Sequence, residues 1–371
     1  MDERYLKQLE TPCIVIDREL VEKNILHMQQ IADQTGVELR PHIKTHKISE
    51  YARLQMKYGA CGITCAKISE AEVMSDGGID DIFVAYPLVG RSKLDRAMIL
   101  ANKCKRLILA VDSEETAKML SAAAVQANLI IEVRLEVDTG AKRTGIPFEK
   151  ALSLAEFVDS LPGLNLTGIY TFKSLIYHGE STCNRDLAGQ EEGEMLSGLA
   201  AKMREKGLNI KDISAGSTPT GENVAKTGLV TEIRPGTYIF NDYMLCCEGW
   251  TSPEHIAGHI YVTVVSTPRE NYAVIDGGTK TFPMDILLEQ PPYYYPGYAV
   301  IEGRPDLRLK RMNEEHGILQ SVNGKTGLKV GQILKLTPIH ICTAINMQNQ
   351  VYEYSDGRLR KMIVEGRGML V

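Results

Sequence analysis

Between about residues 37 and 240 the sequence alternates short apolar runs with amphipathic stretches, and few folds accommodate that order. Runs at 37–42, 62–66, 81–86, 106–111, 129–138, 164–172, 211–215 and 231–238 read as strands. The stretches 69–74, 92–101, 113–127 and 148–161 read as helices, and Ser69, Ser92 and Ser113 stand where an N-cap hydroxyl is useful. A helix between each pair of strands implies parallel pairing with crossover connections. Eight such units predict a (β/α)8 TIM-type barrel. An open doubly wound sheet is the alternative, but no G-x-G-x-x-G follows the first strand.

Beyond Tyr243 the pattern changes. Runs at 260–266, 272–275, 333–338 and 350–354 are strand-like, and turn pairs such as Gly277-Gly278, Asn323-Gly324 and Asp356-Gly357 separate them. This predicts a mostly antiparallel β domain over 244–371, after a barrel over 11–243, with residues 1–10 free to pack with either. With 371 residues, 44% hydrophobic and 24% charged, the chain has material for two cores and lacks the composition of a disordered protein. A net charge of −5 gives no basic field for nucleic acid or an anionic membrane. No apolar run is long enough to span a bilayer, and MDERYLKQLE has no signal-peptide core. Eight scattered cysteines without a C-x-x-C pair predict reduced thiols and a cytoplasmic protein.

The most informative segment is Arg40-Pro41-His42-Ile43-Lys44-Thr45-His46-Lys47, at the C-terminal end of the first predicted barrel strand. Barrel enzymes place their chemistry at that end. Crowded cationic neighbours and desolvation both favour a neutral, nucleophilic lysine, which can form a Schiff base with a carbonyl. A solvated basic loop is the competing reading. Later segments carry other candidates. Arg143 lies in Glu136-Val-Asp138-Thr-Gly140-Ala-Lys-Arg143-Thr-Gly145, and Ser214-Ala215-Gly216-Ser217-Thr218-Pro219-Thr220 follows the seventh strand. Arg234-Pro235-Gly236-Thr237-Tyr238 ends the eighth. Small residues and hydroxyls after strands seven and eight suit an anion, and loops there commonly hold phosphate. In the C-terminal region His340-Ile341-Cys342 follows a predicted strand, and residues two apart on a strand point the same way. Imidazole and thiolate together favour zinc over magnesium or calcium.

Thr11-Pro12, Asp17 and RPHIKTHK resemble the D-threonine aldolase / D-serine dehydratase family, pyridoxal phosphate (PLP) enzymes with the alanine-racemase-like barrel. The resemblance runs from about Thr11 to Arg367. It implies that Lys44 carries PLP and that His42 and His46 flank it. It also implies that Arg143 lies by the cofactor ring, and that Ser217, Thr218, Gly236, Thr237 and Tyr238 serve its phosphate. His340 and Cys342 then hold a divalent metal, zinc first, with manganese or magnesium as alternatives. Glu314-Glu315-His316-Gly317 and Asp276-Gly277-Gly278-Thr279-Lys280, with Asp285 beyond, resemble family segments, and Glu315 and His316 are candidates to support the metal or handle protons. The sequence departs from the family at 168–174, where Phe172 replaces an expected tyrosine and a Gly-His pair is missing; Tyr170 and His178 are candidate substitutes.

The implied activity is a metal-assisted lyase for a β-hydroxy D-amino acid. Cys342 tilts it towards elimination of the D-serine dehydratase type, with retro-aldol cleavage, racemisation and non-catalytic PLP binding as alternatives. The expected partners are a small amino-acid substrate and a second copy of the chain, with no nucleic acid and no membrane.

Overall fold

The computed structural model describes residues 3–371, with side chains from residue 5. The chain forms two compact units, each assembled from discontinuous segments. One comprises Leu26–Lys44, Ile48–Gly236 and Met369–Val371; the other comprises the residues up to Ile25, Thr45–Lys47 and Thr237–Gly368.

The first unit is the predicted barrel. Its strands, in chain order, are Glu38–Leu39, Ile63–Cys65, Asp81–Pro87, Arg106–Val111, Ile131–Asp138, Leu164–Tyr170, Asp212–Ala215 and Glu232–Ile233. All neighbouring pairs are parallel, in the order one, eight, seven, six, five, four, three, two. Strands one and two close the ring through a parallel bridge between His42 and Thr64. Cys61 N to Leu39 O (2.9 Å) and Thr64 N to Pro41 O (2.8 Å) complete the closure.

Side chains alternate along a strand, so every second residue faces inward. Here the inward positions carry charge as well as hydrocarbon. Phe83, Ile108, Ala110 and Tyr170 form an apolar cluster. Beside it, the buried Glu232 carboxylate accepts from Arg40 Nε (2.7 Å), Arg134 Nη1 (2.6 Å) and Ser214 Oγ (2.5 Å). Arg40 also reaches Asp81, and Arg134 reaches Asp212. Burial opposes ionisation of Glu232, but Arg134 and Arg40 outweigh it and hold the carboxyl far below the usual carboxylate range. Gly62 makes room for this network, since a Cβ there would lie 2.0 Å from Arg40 Nη1.

Three helix starts were expected at serines. Ser113 is an N-cap, in a reciprocal capping box with Thr116. Ser69 and Ser92 are not, because their helices, Ile68–Asp76 and Arg91–Ala101, begin after Lys67 and Gly90. Ser69 Oγ instead donates to Val371 O at 2.7 Å.

The second unit is the antiparallel β domain, and it begins earlier than the sequence suggests. Cys13–Asp17, expected in the barrel, pairs antiparallel with Gly258–Arg269 and parallel with Gln350–Ser355. Its apolar residues decide this, since Cys13 and Val15 are buried against Tyr261 and Tyr352. The chain passes into this unit at Thr237. The anticipated strands are present as Gly258–Arg269, Tyr272–Ile275, Ile333–Pro338 and Gln350–Ser355. Ala299–Ile301, Leu307–Met312, Gly317–Ser321 and Arg358–Ile363 add to them.

Glu232→Gln leaves two buried guanidinium groups without their shared anion. It should destabilise the protein by about 3–5 kcal/mol, read from denaturant unfolding. Because the folded carboxyl titrates below its unfolded value, its stabilisation is present above the ordinary carboxylate range and lost as pH falls through the folded value. The acid limb of the stability–pH curve should therefore flatten in the variant.

Candidate active site

The barrel carries one set of functional groups at the C-terminal mouth of its strands. Strand one runs into Arg40 and Pro41, and His42 N donates to Pro235 O (2.9 Å), joining the ends of strands one and eight. A single 3₁₀ turn, Ile43–Thr45, then presents the half-buried Lys44. His42 is half-buried and its Nδ1 faces Lys44 N at 3.4 Å.

Lys44 Nζ stands 5.5 Å from the centre of the Phe172 ring, and the Arg143 guanidinium 4.2 Å from it. The negative face of an aromatic ring attracts cations. Phe172 thus gathers the two expected cofactor residues, one from the turn after strand one and one from the loop after strand five. Asp138 shapes that loop: its Oδ1 accepts from Gly140 N (2.8 Å) and Lys142 N (3.1 Å). Thr171 and Lys173, on either side of Phe172, are buried, Thr171 bonding Val137 O and Lys173 pairing with Glu191.

The two predicted anion segments also meet. Gly236 N donates to Thr218 Oγ1 (3.2 Å), and Ser217 Oγ lies 3.3 Å from Ser174 Oγ. Ser217 and Thr218 are buried, and Gly216 turns the chain in the left-handed region (φ +83°), where glycine is free of the Cβ penalty. Tyr170 and His178 do not join Phe172. Tyr170 packs edge-on against Phe83 inside the barrel (5.0 Å), and His178 Nδ1 pairs with Glu191 (2.7 Å).

The β unit holds the second set. His340 and Cys342 do not share a strand as expected. His340 is the last extended residue (φ −128°, ψ 112°) before the helix Ile341–Met347, and Cys342 lies in its first turn. Their side chains still influence each other across this strand-to-helix junction, each shifting the other's titration. Asp285 Oδ2 takes His340 Nδ1 at 2.8 Å, and Thr343 Oγ1 donates to Asp285 Oδ1 (3.2 Å). Cys342 Sγ also has Thr45 Oγ1 at 3.2 Å and Thr237 Oγ1 at 3.4 Å, so Thr237 faces the thiol. Tyr238 is buried beside it in the turn Thr237–Ile239. His46 is also buried, edge-on to Phe240 at 6.4 Å.

Sequence reasoning missed Asp242. This buried carboxylate accepts from Leu245 N and from Ile341 N, both at 3.1 Å, and so anchors the junction between His340 and Cys342. Burial raises its pKa to about 6, against the opposing pull of His340. Glu315 lies elsewhere, exposed and paired with Lys280 at 2.6 Å, and His316 is exposed. Asp285 is the carboxylate that bonds His340.

Burial disfavours charge on both members of the pair. The Cys342 thiolate and Asp285 nevertheless raise His340 to about 11, and His340 in turn lowers the thiol. Each group thus favours the charged form of the other. A second acidic grouping, Glu38, Cys61 and Glu232, converges in the barrel, but Glu232 is committed to Arg40 and Arg134 and burial raises the Cys61 thiol. That chemistry suits a salt network rather than a cation. Among the described residues no helix is long and apolar enough to cross a membrane.

An eight-stranded barrel with a lysine after strand one, followed by a β domain, defines the alanine-racemase-like class of enzymes. Residues 16–244 match the family described as "Alanine racemase, N-terminal domain", and residues 257–354 match "Putative serine dehydratase domain". The chain belongs to this alanine racemase N-terminal family, in the branch that carries the serine dehydratase domain. It is 31% identical to the D-threonine aldolase of Arthrobacter sp over 355 residues, 95% of this chain and 91% of that protein. It is 30% identical to the D-threo-3-hydroxyaspartate dehydratase of Delftia sp. (strain HT23) over 350 residues, 91% of this chain and 92% of that protein. The crystal structure of D-threonine aldolase from Filomicrobium marinum superposes with a TM-score of 0.86 at 27% identity, covering 99% of this chain and 97% of that one. These relatives are lyases.

If His340 holds Cys342 as a thiolate, His340→Ala should slow alkylation of Cys342 at neutral pH by about tenfold or more. Peptide mapping by mass spectrometry against the exposed Cys183 as internal reference gives the rate. An unchanged ratio would remove the ion pair from the description of this site.

Proposed function

We propose that this protein is a PLP-dependent lyase acting on a β-hydroxy D-amino acid with the aid of a divalent metal, by elimination of the dehydratase type. The observation that carries the reading is the His340–Cys342 pair supported by Asp285. Cys342 is already biased to the thiolate that a metal requires. Asp285 occupies Nδ1 of His340, which leaves Nε2 for an ion, an arrangement common among metal-binding histidines. The donor set fits zinc first, with manganese or magnesium as alternatives.

The barrel mouth fits PLP on its own terms. Gly216 leaves a cradle that a side chain would crowd, since a Cβ there would come within 3.0 Å of Gly221 Cα. Buried hydroxyls and cations stand around it. Lys44 would hold the cofactor through Nζ. Arg143 would face its phenolate oxygen, and Ser217, Thr218 and Gly236 would serve its phosphate, with His42 beside them.

When bound, PLP supplies an electron sink for a bond broken at the substrate Cα, and the metal supplies Lewis acidity at the β-oxygen. Lys44 Nζ would be the base placed to take the Cα proton. Loss of the β-hydroxyl as water, and hydrolysis, would then give a keto acid and ammonia. Retro-aldol cleavage is the second reading, supported by the similarity to a D-threonine aldolase. There the β-hydroxyl would give up its proton, the Cα–Cβ bond would break, and Cα would take a proton in place of the lost carbon, giving glycine and an aldehyde. A homodimer in the cytoplasm completes the proposal.

The test is product identification with D-threonine and D-threo-3-hydroxyaspartate, with PLP and zinc or manganese supplied. Keto acid and ammonia are expected; glycine with an aldehyde would replace elimination by the aldol reading. Lys44→Ala should lose both turnover and the near-visible absorption of bound PLP. Full turnover in that variant would overturn the assignment.

A further inference from the structure

Glu192 is a carboxyl group without a role in the chemistry above. It lies on the helix Arg185–Glu205, whose buried residues are Ala188, Gly189, Glu192, Gly193, Leu196, Leu199, Ala200 and Met203. Their spacing makes an apolar stripe, and Glu192 is its one acid, fully inaccessible to solvent. Its carboxyl is turned on the anion loop after strand seven. Oε1 accepts from Gly216 N at 3.2 Å, and Oε2 lies 3.3 Å from Thr220 Oγ1.

A carboxylate buried directly behind a phosphate loop would repel the ligand. Hydroxyl counting offers a resolution. Thr220 Oγ1 has three neighbours: Ser217 N at 3.2 Å, Ser217 Oγ at 3.0 Å and Glu192 Oε2. A hydroxyl has one proton to give and two lone pairs. The Ser217 amide uses one lone pair. Either Glu192 donates to Thr220, and Thr220 donates to Ser217, or both run in reverse. In the first arrangement the Ser217 proton points away from Thr220, to Ser174 Oγ at 3.3 Å, where an anion competes with that hydroxyl for it. In the second it is spent on Thr220.

We propose that Glu192 is a positioning residue for the cofactor phosphate: in its neutral form it donates to Thr220, and this turns the Ser217 hydroxyl proton towards the anion. The proposal rests on the reading that the Gly216–Thr220 loop holds the PLP phosphate. Burial favours the neutral form by raising the Glu192 pKa, although the Gly216 amide, Lys173, Arg234 and, when it donates, the Thr220 hydroxyl oppose it. Those two cations have other anchors: Lys173 pairs with Glu191, and Arg234 bonds Ser214 Oγ and Thr171 O. The relay therefore faces the anion at low pH and reverses as pH rises through the Glu192 value.

The test compares dissociation of PLP and of pyridoxal, which lacks the phosphate, from the holoprotein by equilibrium dialysis across pH. Their ratio cancels the lysine linkage common to both. In the wild type the preference for PLP should fall roughly tenfold or more as pH rises. Glu192→Gln, whose amide always donates, should keep the low-pH preference throughout. Thr220→Val should abolish the pH dependence and make Glu192→Gln silent, while Thr220→Ser restores it. Identical profiles for wild type and Glu192→Gln would overturn the proposal, as would equal loss of both ligands in Glu192→Gln. A wild type with no preference for PLP at any pH would instead refute the phosphate-loop reading itself.

Discussion

The barrel depends on one carboxylate. Glu232 accepts hydrogen bonds from Arg40 of the first strand's extension, Arg134 of strand five and Ser214 of strand seven. A charge so deeply buried costs several kcal/mol in desolvation unless it is paired, on the order of what a whole domain has to spare. The two guanidinium groups recover that cost only with the strand ends in this arrangement. The same contacts continue upward: Arg234 bonds Ser214 Oγ (2.5 Å) and Thr171 O (2.6 Å). Thr171 precedes Phe172, against which Lys44 and Arg143 stand. One run of hydrogen bonds thus links the buried ion network to the segment that faces Lys44.

That dependence explains an interior unlike the hydrocarbon layers usual in such barrels. Inward positions of strands five, seven and eight carry Glu132, Arg134, Asp212, Ser214, Glu232 and Arg234, interleaved with Phe83, Ile108 and Tyr170. Polar networks of this kind are directional. Hydrocarbon tolerates small rotations, but a carboxylate shared by two arginines and a serine does not. Such an interior is suited to holding the strand ends, and the loops that follow them, in one orientation.

Much of the fold was legible because its signal is local. Eight apolar runs separated by helical stretches mark a parallel barrel whichever residues fill it, and Lys44 stands out by its cationic neighbours. What escaped was non-local. Cys13–Asp17 falls within the expected bounds of the barrel, and only pairing with residues near 260 and 352 assigns it to the β unit. His340 and Cys342 were paired for a reason that proved wrong, since the chain turns helical between them, yet the junction still brings them together. Asp242 could not be seen at all, because it acts through two backbone amides and belongs to no side-chain pattern. Glu192 had a visible signal, an acid on the apolar stripe of its helix, that motif reading passed over.

The His340–Cys342 pair uses charge differently from the barrel. Glu232 has its counter-ions built in and gains nothing from a further ligand. His340 and Cys342 each bias the other towards its charged form, which draws a proton to the imidazole. A metal ion needs that nitrogen deprotonated, so it must displace the proton, and its affinity falls as pH drops. Asp285 raises the basicity of His340 and so strengthens both competitors, the proton and the ion. Asp242 fixes the backbone between the two side chains, which spares an incoming ion the entropy of assembling them. The pair is therefore poised rather than merely stable: it has the geometry of a site, and the charge that holds it together is the charge a divalent cation would replace.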